Sequence, residues 1–238
     1  MIWFRSRLAV LLEVTHSPGQ AFSRPLSGSS CIVPCLVLGC LLTAVSFLQA
    51  PVQLGWMQYR MESAGIPAEQ IASSLTLMAR SNRLAAALVP LLLLLRWSVL
   101  ALLIWLPCQL LFERLEYSPI LAMVSYSYIP IALRDMAACS VLLMRGGDMR
   151  GGVQGLDVAL GLNLLLPAVP TPWNTLLGNL NLFEAWFVAL LAIGIAAVTR
   201  TNWKRGLAVA LPVWIFVTVV QFGFVSLGAS VQRQLGLQ

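Results

Sequence analysis

Solid apolar blocks rather than alternating positions dominate the chain. Uncharged or nearly uncharged stretches run at 32–49, 85–111, 120–144, 182–199 and 207–227. A hydrocarbon core about 30 Å thick is crossed by about 20 helical residues at 1.5 Å each. The first, fourth and fifth stretches match that length, and the second and third are longer and carry internal charge. In hydrocarbon every backbone polar group must be paired within its own segment, so such blocks predict helices. An outer-membrane barrel would show short alternating segments instead. The pattern predicts an all-α polytopic membrane protein: a bundle of five transmembrane helices with interfacial helices. It divides the chain into an amino-terminal amphipathic segment (1–30), the transmembrane domain (31–229) and a short tail (230–238).

Splitting the second stretch at Arg96 would leave halves of 12 and 16 residues, 84–95 and 97–112, each too short to cross alone. One tilted or bent helix is expected, with Pro90 and Pro107 as bend points. Outside the blocks, Met1, Phe4, Leu8, Leu11 and Leu12 recur at helical spacing beside Trp3, Arg5 and Arg7, which predicts an interfacial helix. The competing reading, a signal peptide, is weakened by Glu13 and by the lack of a small-residue cleavage site before Arg24. Pro67 before Ala68, Glu69 and Gln70 predicts a helix start, with Ile71, Leu75 and Met78 on one face. The stretch 156–166, too short to span, reads as a re-entrant or interfacial helix ending at Pro167. Pro167, Pro170 and Pro172 then interrupt regular structure.

Composition removes the soluble alternatives. The chain is 59% apolar and 10% charged, against about 45–50% and about 25% for a globular domain. The net charge is +6, and 14 of the 15 basic residues are Arg, with Lys204 the single Lys. These residues are scattered between the blocks, as membrane topology signals are and a nucleic-acid stripe is not, so the bilayer is the expected partner. Placing the amino terminus inside collects Arg5, Arg7, Arg24, Arg114, Arg200, Lys204 and Arg205 on the cytoplasmic side. The other side collects Arg60, Arg80, Arg83, Arg145, Arg150 and Arg233. Seven against six decides little; the short, dense 200–205 connection decides it. The expected orientation is amino terminus in the cytoplasm, carboxyl terminus outside.

Catalytic constellations are thin. His16 is the sole histidine, which removes histidine metal clusters and any H-E-x-x-H site. A Ser-His-Asp triad would need His16, and no G-x-S-x-G elbow is present. The glycines of 146–152 lack the Gly-Lys-Ser/Thr of a phosphate loop and read as a flexible turn. Cys31, Cys35, Cys40, Cys108 and Cys139 lie in or beside apolar blocks. Cys31 and Cys35 share a face that could suit a metal or a lipid, but small-hydrophobe packing is the simpler reading. No cofactor, no metal and no enzymatic activity are expected.

The sharpest signal is charge inside the blocks. An ionisable group at the bilayer centre costs about 2.5–3.5 kcal/mol on the insertion scale and faces the bundle interior or water. Arg96 lies roughly 17 Å from the outer end of its block and Asp135 roughly 14 Å from the outer end of its own, so they share a layer and are expected to pair. Arg134, about 100° around the helix from Asp135, must look elsewhere, with Glu184 as one candidate. Tyr126, Tyr128 and Pro130 interrupt the third block with two hydroxyls and a missing backbone donor, which frees the Tyr126 carbonyl. A packing kink and a polar pocket lined by both hydroxyls are the two readings. Arg96, Arg134, Asp135, Tyr126, Tyr128, Pro130 and Glu184 form the expected intramembrane polar cluster, either as helix clamps or as a path.

The stretch Leu121-Ala-Met-Val-Ser-Tyr-Ser-Tyr-Ile-Pro130, then Asn181-Leu-Phe-Glu-Ala-Trp186, Leu190-Leu-Ala-Ile-Gly194 and Val198-Thr-Arg200, resembles the bacterial branch of the Yip (Ypt/Rab-interacting protein) family. The segment around Pro18 and Phe22 and the order of spans are similar too. The resemblance implies five transmembrane helices with a cytoplasmic amino terminus. Eukaryotic members are non-enzymatic adaptors that contact small GTPases through a long amino-terminal region. This chain lacks that region and its acidic-Leu-Tyr-Gly-Pro motif, so GTPase binding is not carried over. Some bacterial relatives look like accessory subunits of ABC-type exporters. The expected function is a membrane-embedded adaptor or assembly subunit, with an ABC-type export complex as a candidate partner. The alternative is a small carrier or channel for an ion, solute or lipid using Arg96 and Asp135.

Overall fold

The computed structural model describes residues 2–24, 26–112, 115–144, 160–165 and 171–234. Helix is the only regular structure among them. The elements are α1 (Ile2–His16), α2 (Pro18–Ser23), a 3-10 turn (Gly28–Cys31), α3 (Ile32–Ser63), α4 (Ala68–Leu111), α5 (Tyr117–Ser127), α6 (Ile129–Met144), a 3-10 turn (Leu162–Leu164), α7 (Thr171–Asn179), α8 (Leu182–Val198) and α9 (Trp203–Gln234). The 146–152 glycine stretch, 156–159 and Leu166 of the 156–166 stretch, Pro167 and Pro170 lie outside the described residues.

Four of these helical stretches are long and apolar enough to cross a membrane, at Ser29–Ser63, Ala68–Leu111, Tyr117–Met144 and Trp203–Ser230. A fifth crossing is made if Trp173–Asn179 and Leu182–Val198, bent by 55°, act as one span. The protein is therefore an all-helical, multi-pass membrane protein. Leu91, Leu95, Phe216 and Phe224 are among the many large apolar side chains left exposed, as expected where lipid tails rather than water are the solvent.

The chain divides into two compact units. The first comprises Met1–Pro34, Arg96–Ile131 and Ala159–Gln238, and its centre is α8. Val188, Leu190, Leu191, Ala192 and Ile195 are buried there, flanked by α2, α5 and α9. Small residues let the backbones meet. A Cβ added at Gly206 would collide with the Ala192 carbonyl; Ala192 and Ala196 on α8 face Gly206 and Ala210 on α9 at four-residue spacing, the small-xxx-small pattern of close helix crossings. On another face of α8, a Cβ at Gly194 would collide with the Met123 thioether of α5, 2.8 Å from its sulfur, and lie 3.4 Å from Phe22 of α2.

The amino-terminal helix packs on this unit. Val10, Leu11 and Val14 are buried, while Phe4 and Leu12 are exposed. Of the Met1, Phe4, Leu8, Leu11 and Leu12 set that spacing favoured, Leu11 is buried and Phe4 and Leu12 are not, so the buried stripe is rotated from the expected face. The reason is tertiary: α1 is covered by α2 and α5, which take the face carrying Val10 and Val14. An ion pair between Arg24 and Glu13, 2.7 Å, ties the end of α2 back to α1.

The second unit comprises Cys35–Leu95 and Ala132–Val158, and its frame is a long antiparallel hairpin of α3 and α4. Proline chemistry holds it. Pro90 has no N–H, so the carbonyl of Ala86, four residues back, loses its helical partner. The Thr43 hydroxyl of α3 donates to that carbonyl at 3.3 Å. One turn away a Cβ on Gly39 would sit 3.2 Å from the Pro90 Cβ, and the Cys35 thiol points at the Pro90 carbonyl at 3.9 Å. Continued, this register reaches the turn at Gly65, whose φ of 72° is the left-handed position that ends a helix most cheaply on glycine. The Ile66 N–H reaches back to Met61 O at 3.1 Å, as in a Schellman closure. From the other end of the unit, Cys139 of α6 directs its thiol to the Val45 carbonyl at 4.0 Å.

Candidate functional site

The third span breaks where Pro130 forbids a continuous ladder. Tyr128 lies between α5 and α6 with φ −76° and ψ −4°, and its N–H turns back to the Ser125 carbonyl at 3.4 Å. The break aims Tyr128 into the first unit, where three aromatic rings and one guanidinium gather. Trp97 meets Tyr128 edge to face at 5.7 Å between centroids, and Phe187 meets it from α8 at 6.0 Å. The Arg96 guanidinium carbon lies 5.3 Å from the centre of the same ring. Arg96 is exposed, and a cation held over a tyrosine face by the ring quadrupole at an exposed site is worth about 0.5–1 kcal/mol. Trp97 is fully buried, and its indole N–H has no hydrogen-bond partner among the described residues.

Tyr126, two residues earlier, points away from this group. Its hydroxyl donates to the Arg7 carbonyl of α1 at 3.4 Å. The two tyrosine hydroxyls therefore do not line one pocket, and the break at Pro130 serves packing on both of its sides.

Glu184 is buried in the first turn of α8. The Asn181 side chain caps that helix by accepting from the Glu184 N–H at 2.9 Å, and the helix N-terminus favours the carboxylate charge. Its Oε2 accepts from the indole N–H of Trp214 on α9 at 3.1 Å, which pins α8 to α9 about two turns from the small-residue crossing.

In the second unit Arg134 and Asp135 satisfy one another. The Arg134 Nε and terminal nitrogen donate to Asp135 Oδ1 at 3.0 and 2.9 Å. The expectation that Arg134 must look away from Asp135 is corrected here. Successive Cβ atoms do diverge by about 100°, but the arginine stem is long and flexible enough to fold around the helix. Neither side chain is deeply buried, at 23% and 35% exposed. Arg96 and Asp135 thus each meet a partner within their own unit, an aromatic face for the first and a guanidinium for the second. Sequence reasoning missed Trp97, Phe187 and Trp214. Depth matching weighed charges against charges and passed over rings and indole donors at the same depth.

No three His, Cys, Asp or Glu side chains gather among the described residues. The arrangement has the chemistry of clamps: a cation on a ring, a carboxylate on an indole, an ion pair between neighbours. Together with the helix lengths it defines an integral membrane protein. The family follows from comparison: the model of the Yip1 domain matches residues 12–225, and the chain belongs to that family. No curated protein and no solved structure matches it.

Proposed function

We propose that the protein is a non-catalytic, membrane-embedded adaptor or assembly subunit, with an ABC-type exporter as the candidate partner. The supporting observation is the length of the α3–α4 hairpin. Helices of 32 and 44 residues extend about 48 and 66 Å, against a core of about 30 Å, and a tilt of about 20° removes only a few ångströms. The surplus forms a helical arm beyond the lipid, closed at Gly65. Tyr59, Ile66 and Leu77 are exposed on it, apolar side chains suited to a protein partner. The intramembrane charges support the same reading, because Arg96, Arg134, Asp135 and Glu184 each meet a neighbouring side chain. The dense Arg200, Lys204 and Arg205 connection supports an amino terminus on the cytoplasmic side of a bacterial inner membrane.

Photo-crosslinking amino acids at Tyr59, Ile66 and Leu77 of the full-length protein in native membranes test this. A discrete protein adduct from the arm positions is expected, and lipid adducts alone from Leu91 and Leu95. Lipid-only labelling at all five positions, with a solitary species after digitonin extraction, would overturn the proposal. The mass-spectrometric identity of the adduct decides the exporter assignment.

A further inference from the structure

A cleft of about 640 Å³ opens where α8 turns into α9. Phe112 and Leu115, from the α4–α5 connection, form its apolar wall, and Thr201, Arg200 and Arg205 form the opposite side. The wall is fixed in place: the Leu115 carbonyl accepts from the Trp105 indole at 2.9 Å and from the Gln109 amide at 2.5 Å. The cationic side is fixed as well. The Thr201 N–H closes α8 onto Ala196 O at 2.9 Å, and the Asn202 carboxamide caps α9 by accepting from the Arg205 N–H at 3.0 Å.

The turn that places Arg200 is that of a helix end, closed by the Arg200 N–H on Ala197 O at 3.4 Å, and the position of Arg205 is costly without an anion. Arg200 has φ 53° and is the single non-glycine residue with positive φ among the described residues. An L-residue there costs roughly 1–2 kcal/mol that glycine would avoid. Arg205 and Lys204 occupy the first turn of α9, where the helix dipole disfavours cations. Among the described residues neither Arg200 nor Arg205 forms an ion pair. A greasy wall facing two guanidiniums, at the mouth of two spanning helices, matches one kind of occupant in shape and charge.

We propose that this cleft binds an anionic phospholipid of the surrounding leaflet. The headgroup phosphate sits between Arg200 and Arg205, and the upper acyl chain lies along Phe112 and Leu115. Guanidinium forks take phosphate oxygens in pairs, and basic pockets between spanning helices select anionic headgroups. The proposal is independent of the adaptor reading, because it concerns the bilayer and not a protein partner.

The test is native mass spectrometry of the full chain in detergent, titrated with phosphatidylglycerol, phosphatidylcholine or inorganic phosphate. Wild type is expected to bind phosphatidylglycerol at least tenfold more tightly than phosphatidylcholine, and millimolar phosphate is expected not to displace it. Each of Arg200→Gln and Arg205→Gln is expected to weaken phosphatidylglycerol about fivefold. The pair Arg200→Lys with Arg205→Lys retains the preference, and Arg60→Gln with Arg83→Gln, on the arm, leaves it unchanged. Equal binding of the two lipids by wild type overturns the proposal, as does an undiminished preference in both glutamine variants. Displacement by free phosphate would overturn the lipid as occupant. Circular dichroism and gel filtration confirm folding, and if the glutamine variants fail to fold, the wild-type preference for phosphatidylglycerol over phosphatidylcholine, with and without free phosphate, still decides the proposal.

Discussion

Glu184 shows what a single carboxylate needs in order to remain buried in a span. It has a helix N-terminus beneath it, a capped backbone around it and the Trp214 indole donating to it at 3.1 Å. A hydrogen bond to a charged group contributes about 1.5–3 kcal/mol, and stranding the charge costs more than never having it. Trp214→Phe is expected to lower stability by about 1.5 kcal/mol, read by circular dichroism along an SDS titration. In a Glu184→Leu background the same change should cost far less, since no carboxylate is left wanting a donor. Equal losses in both backgrounds would mean that Trp214 acts through its bulk alone. The sequence carried half of this arrangement: Glu184 stood out as a charge at the edge of an apolar block. Its partner did not, because Trp214 is 30 residues on and nothing in one sequence sets the register of α9 on α8. The same limit hid the ring beneath Arg96, whereas Arg134 and Asp135 were misread for a different reason, the reach of a flexible stem.

At the scale of elements, prolines write their own contacts. Pro90 and Pro130 were legible as interruptions, since a missing N–H is a property of the residue type; what answers each was not. For Pro90 the answer is Thr43, and the pairing is open to a direct test. Thr43→Val leaves the Ala86 carbonyl without a donor in lipid and is expected to cost about 0.6–1.7 kcal/mol. Pro90→Ala returns an N–H to that carbonyl, so Thr43→Val made on top of Pro90→Ala is expected to be nearly silent in the same SDS titration. A full cost in the double variant would show that the hydroxyl holds α3 to α4 in some other way. The break at Tyr128 follows the opposite course: a turn replaces the lost ladder, and the freed geometry delivers the tyrosine ring to Arg96, Trp97 and Phe187. Apolar block lengths marked where helices lie but not where they stop, because α3 and α4 continue in helical form well past the point at which their sequence stops being oily.

At the scale of the whole chain, the apolar blocks read as five crossings, and helix length gives four, or five with the bent pair as one span. Helix α8 has 17 residues, about 26 Å, slightly less than the core it would cross. Contacts within the first unit favour counting it. Phe112 and Leu115 share a cleft with Thr199, Arg200 and Arg205, so the α4–α5 connection and the α8–α9 turn lie on one face of the membrane. The third span leaves that face after Leu115 and must be answered by a return before Thr199. The bent pair of α7 and α8 is the segment available to make it, with the 55° bend letting α7 add the missing depth. If the bent pair acts as one span the chain crosses five times, and its two ends then lie on opposite faces. Fusions of alkaline phosphatase and a fluorescent protein before Met1 and after Gln238 read this directly, each reporter being active on one side only. Opposite activities are expected at the two ends, and a cysteine placed at Lys204 in a cysteine-free chain should share the side of the amino terminus when probed with an impermeant maleimide. Matching activities at both ends would leave α8 as a buried, non-crossing helix.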